Sequence, residues 1–91
     1  MPHMQAPYTT LNLTLTGAWD AWTVPDNVNT VLIQARTSVD ISVSSRSNGK
    51  EPFTIKADKY LVIGSFNAQN QVLYINGAGG VVVEFFVVNR P

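Results

Sequence analysis

Turn residues punctuate this chain roughly every 8 to 12 positions, and between them apolar and polar side chains alternate with a period of two. That rhythm suits short strands with one face toward a core, and no segment carries the three-and-four apolar spacing that a helix would need. The composition agrees: 12 Val, 5 Ile and 8 Thr make 25 of the 91 residues β-branched, the side chains that sit best on a pleated sheet. The clearest case is residues 8–16 (YTTLNLTLT), which place Leu11, Leu13 and Leu15 on one side and Thr10, Asn12, Thr14 and Thr16 on the other.

Seven more extended segments follow from the same pattern. Residues 22–24 stop at Pro25-Asp26-Asn27, where proline fixes φ and the next two side chains can cap a turn. Residues 30–36 put Val31, Ile33 and Ala35 on one face, and residues 38–44 repeat this with Val39, Ile41 and Val43, so the two are expected to form a hairpin or one bent strand. Residues 45–52 (SRSNGKEP) contain the turn signal Asn48-Gly49 and no apolar anchor, and are expected to be the most exposed loop. Strands are then expected at 53–56, 60–66, 71–76 and 81–88, the last two joined by Gly77-Ala78-Gly79-Gly80. The last segment (VVVEFFVV) is apolar on both faces and should lie centrally in its sheet.

About eight short strands in 91 residues predict an all-β fold, an antiparallel sandwich of jelly-roll or Greek-key type. Residues 1–7 stand apart as an extended N-terminal arm, and residues 8–91 read as a single domain. With no cysteine, neither a disulfide framework nor a thiolate zinc site can support so small a core, which must hold alone or gain stability from neighbouring subunits.

The charge pattern narrows the function classes. Charged residues are 13% of the chain and sum to zero, while Ser, Thr, Asn and Gln supply 26 residues, so the polar surface is mostly uncharged. Such a chain has no field to attract nucleic acid or anionic lipid, and neither is expected as a partner. The arm has no basic n-region or apolar h-region of a secretory leader, and the longest apolar run is too short to span a bilayer, so no membrane association is expected. A surface poor in charge fits a chain partly covered by other proteins.

No catalytic, cofactor-binding or metal-ligating set emerges. His3 is the only histidine and lies in the arm, with no rigid scaffold to hold it as a base. The carboxylates Asp20, Asp26, Asp40, Glu51, Asp58 and Glu84 fall on separate elements with no implied pair, and Glu84, which interrupts an apolar strand, is expected to face outward or be paired. Asp26-Asn27-Val28-Asn29 lacks the glycine and distal Glu of a calcium loop, and the glycines at 77–80 join two strands, not a strand and a helix. The expectation is a protein that is not an enzyme and needs no cofactor. Trp19 and Trp22 flank Asp20, an arrangement common to sugar platforms and protein hot spots, although the favoured reading is that one or both indoles simply plug the end of the sandwich. The candidate contact residues are therefore Met1, Pro2, His3, Met4, Gln5, Ala6 and Pro7 of the arm, the two tryptophans, and Arg46, Asn48 and Lys50 of the polar loop.

The succession Trp22-Thr23-Val24-Pro25, residues 31–44 (VLIQARTSVDISVS), 53–63 (FTIKADKYLVI) and 72–86 (VLYINGAGGVVVEFF) resembles the small β-sandwich virion proteins of tailed bacteriophages, the capsid decoration or cement proteins and related auxiliary proteins. The resemblance rests on strand patterns and turn glycines over residues 20–88 and carries no functional residue with it. It implies a non-enzymatic protein on the capsid exterior, a homo-oligomer with a trimer favoured, bridging major capsid subunits or other virion proteins. The alternative is a carbohydrate- or receptor-binding module that stacks its ligand on Trp19 and Trp22.

Overall fold

The computed structural model describes residues 8–64 and 71–89, and these form eight strands. In chain order they are β1 (Tyr8–Thr14), β2 (Asp20–Thr23), β3 (Val28–Ala35), β4 (Ile41–Ser44), β5 (Phe53–Ile55), β6 (Tyr60–Gly64), β7 (Val72–Asn76) and β8 (Val82–Asn89). Two four-stranded antiparallel sheets, ordered β1-β8-β3-β6 and β2-β7-β4-β5, pack as a sandwich. That is the strand order of a jelly roll. Only β4 and β5 are both consecutive in the chain and paired with each other; every other connection passes from one sheet to the other. Strand β8 lies between β1 and β3, the central place that its two apolar faces imply.

The segments around β3 and β4 need a correction. They are not a hairpin: β3 pairs with β8 and β6, while β4 pairs with β7 and β5 in the other sheet. The reason is the shared direction of their apolar residues. Val31 and Ile33 on β3 and Ile41 and Val43 on β4 all enter one core, which two strands from facing sheets can fill from opposite sides. The corner between them is held by side chains of its own. Asp40 Oδ1 accepts the amide of Ala57 at 2.7 Å, and Ser38 Oγ donates to Asp58 Oδ2 at 2.8 Å.

The core runs from Leu15 to Val87 and contains residues of both sheets. Its centre is Phe85 of β8, flanked by Val31, Ile33, Ile75, Val83 and Val87, each no more than 1% exposed. Trp22 of β2 crosses the gap between layers to stack on Phe85, with ring centroids 3.9 Å apart and planes within 6°. Neighbouring turns close over this core without spare room. A Cβ at Gly77 would come within 2.8 Å of Leu15 Cδ1, so only glycine lets that backbone approach.

Truncating either ring removes the aromatic stack between the sheets. Trp22→Ala and Phe85→Ala should each cost about 3–5 kcal/mol, a large share of what a domain of this size holds. Urea denaturation checks this; a midpoint unchanged in Trp22→Ala would mean that the indole is not part of the core.

Candidate functional site

Register alone dictates what the outer face of the β1-β8-β3-β6 sheet presents. Thr10, Phe86, Leu32 and Val62 align in one row across it, Tyr8, Val88, Thr30 and Gly64 in the next, and Asn12, Glu84, Gln34 and Tyr60 in a third. The side chains opposite in period, such as Leu13, Val83, Ile33 and Leu61, belong to the core. This leaves large apolar groups in solvent: Tyr60 is 62% exposed, Val62 51%, Tyr8 51% and Phe86 39%. Tyr8 and Phe86, diagonal neighbours on adjacent strands, stack with centroids 5.0 Å apart. Scattered apolar side chains are ordinary on a protein surface; here Tyr8, Leu32, Tyr60, Val62, Phe86 and Val88 share one sheet face.

A polar cluster closes one end of this face. Glu84 accepts from Gln34 Nε2 at 3.0 Å and from Arg36 Nε at 3.1 Å. With the Asn12 amide turned so that its oxygen faces the guanidinium, Arg36 Nη2 donates to it at 3.2 Å and the Asn12 nitrogen donates to the Leu11 carbonyl at 3.0 Å. A shallow open groove of about 360 Å³ lies between this cluster and Phe86, Leu32 and Thr10. The Gln34 hydrogen bond first and the Arg36 hydrogen bond second hold the Glu84 carboxyl below the usual glutamate range; desolvation opposes them, and the Arg36 charge adds the smallest lowering. Glu84 is thus outward-facing and paired.

The second region is the end of the sandwich where the loop after β1 meets the loop between β4 and β5. Trp19, half-buried, lies against Gly49, whose φ of +73° is in the left-handed region. A Cβ at that position would overlap the indole at Cε2 and Nε1, so the contact requires glycine. The loop is organised from below by Ser44, 2% exposed, whose Oγ donates to the Lys50 carbonyl at 2.7 Å and accepts the Arg46 amide at 3.1 Å. Asn48 Oδ1 accepts the Lys50 amide at 3.1 Å. Arg46, Asn48 and Lys50 of the same loop are exposed, and neither cation forms an ion pair with a described residue.

The structure therefore brings Trp19 together with the polar loop and separates it from Trp22. Trp22 is 8% exposed and stacked inside the core, where it plugs the sandwich and offers no face to a ligand. The arm, with His3 and the six other candidate residues at 1–7, lies outside the described residues. Among the described residues no three His, Cys, Asp or Glu side chains gather as metal ligands. Asp20 caps its own turn, accepting from the Thr16 amide at 2.9 Å and the Thr16 hydroxyl at 2.8 Å, and Asp40 lies 3.7 Å from Lys56. The apolar outer face did not emerge from the sequence, although its signal was there: β8 alternates Val83, Phe85 and Val87 inward with Val82, Phe86 and Val88 outward.

No family model, no curated protein and no solved structure matches the chain.

Because the folded carboxyl of Glu84 is more acidic than in the unfolded chain, its contribution to stability is present above the ordinary glutamate pKa and is lost as pH falls through the lower, folded value. Between neutral and strongly acid pH the wild type should lose more stability than Glu84→Gln. Parallel melting curves in the two proteins would refute that coupling.

Proposed function

We propose that this chain is a non-enzymatic structural virion protein that decorates the capsid exterior as a homo-oligomer and bridges neighbouring major capsid subunits. The observation that carries the reading is the outer face of the β1-β8-β3-β6 sheet, where Tyr8, Phe86, Val62 and Tyr60 stand exposed on a chain of zero net charge. A free monomer gains nothing from such a face, and a permanent assembly does. The jelly-roll sandwich suits a part whose work is to hold position. The resemblance of its strand pattern to phage decoration proteins gives that assembly its place.

Contact with the shell is assigned to the loop end. Trp19 and Arg46 are residue types that dominate binding energy where water is excluded around them, and Gly49 and Ser44 hold them on a fixed frame. Repeated by symmetry, modest contacts of this kind add up, because each bound site holds the next near its target. The sugar-binding alternative loses one of its two platforms with Trp22 in the core, which leaves Trp19 alone.

Gradient sedimentation of particles made by the genome that encodes this chain tests the reading. The chain is expected to travel with intact heads and to appear as density on their outer surface. Arg46→Ala and Trp19→Ala should each weaken occupancy by about tenfold or more, and removal of residues 1–7 should abolish it without unfolding the domain. A chain found wholly outside the particles, or a specific glycan bound through Trp19, would overturn the assignment.

A further inference from the structure

We infer that the outer face of the β1-β8-β3-β6 sheet is where two copies of this chain meet, sheet against sheet, about a two-fold axis. The inference adds to the assembly reading the surface and symmetry of self-association, and it stands or falls on the isolated protein, apart from any shell.

The charge of the face favours a second copy. Among the described residues it presents one carboxylate, Glu84, and one guanidinium, Arg36, already paired at 3.1 Å, and the other residues in its three rows are uncharged. An acidic or basic partner would find no opposite field there. A copy of the chain, itself of zero net charge, brings no repulsion and the same apolar rows. The polar groups are also prepared for loss of water. Gln34 and Arg36 each give Glu84 one hydrogen bond, so covering the cluster leaves its carboxylate with partners.

Size and shape point the same way. Four strands about 4.8 Å apart, with about seven residues each at about 3.4 Å, make a face of about 20 by 25 Å, or about 500 Å² before side-chain relief is added. That is at the low end of specific interfaces, enough for a dimer that forms at high concentration and separates on dilution. A sheet face that covers its own copy is by geometry isologous, which closes at two subunits; a ring of three needs two different patches. Two such faces would pack about 10 Å apart, the spacing of the layers of a sandwich. The strand β8 would then have both its apolar faces covered, as its sequence of Val82 to Val88 requires.

Sedimentation velocity of the purified chain over about a hundredfold dilution reads the result directly. Wild type is expected to pass from dimer to monomer. Phe86→Lys and Val62→Lys, both at exposed positions on the face, should be monomeric throughout, with circular dichroism confirming the fold. Phe53→Lys, at an exposed position on the opposite sheet, should dimerise as wild type does. If Phe86→Lys fails to fold, Val62→Lys carries the comparison. A monomer at every concentration, a trimer, or a dimer that survives both face substitutions would each overturn the proposal. The particle sedimentation described above is unaffected by any of these outcomes, so the two readings can fail separately.

Discussion

Strand β8 has side chains on both faces that water does not favour, and the rest of the molecule is arranged around that constraint. Inward, Val83, Phe85 and Val87 make the middle of the core, and Phe85 receives the Trp22 ring from the other sheet. Outward, Phe86 and Val88 form the centre of an apolar surface that β1, β3 and β6 extend on either side. A central position solves the backbone half of the problem, since both edges of β8 find hydrogen-bond partners. It does nothing for the outer side chains. Those remain exposed until a further surface arrives.

The single interruption in β8 shows how the constraint is managed. Glu84 points outward with Phe86, and a lone carboxylate there would make covering the face costly. Gln34 and Arg36, cross-strand neighbours on and just beyond β3, convert it into a neutral cluster. The carboxylate on this face is thus left paired. Trp19, in the loop after β1, has a different environment: Gly49 lies against it, in a loop tied down by the buried Ser44 hydroxyl.

Much of this was legible from period alone. The alternation in β1 set Leu11 and Leu13 on the one side that the structure turns inward, and the two-faced run at 81–88 placed β8 in the middle of a sheet. What period cannot encode is which of two sheets a strand joins. Segments β3 and β4 have matching patterns because both feed the same core, and that pattern is identical whether they lie side by side or face to face. The fate of Trp22 was hidden for a related reason: a four-residue strand has too few alternations to declare its inner face, and only the stack on Phe85 decides it. The outer face escaped notice because its members come from four strands far apart in the chain, each contributing two or three side chains that look ordinary alone.

The account rests on the outer sheet face being exposed in the dilute chain and covered in the assembly. Hydroxyl-radical footprinting of Tyr8, Tyr60 and Phe86 in dilute protein and in the assembled particle measures this at the side chains themselves. The account predicts strong labelling of all three in the dilute chain and marked protection of all three in the particle. Equal labelling in the two states would contradict it.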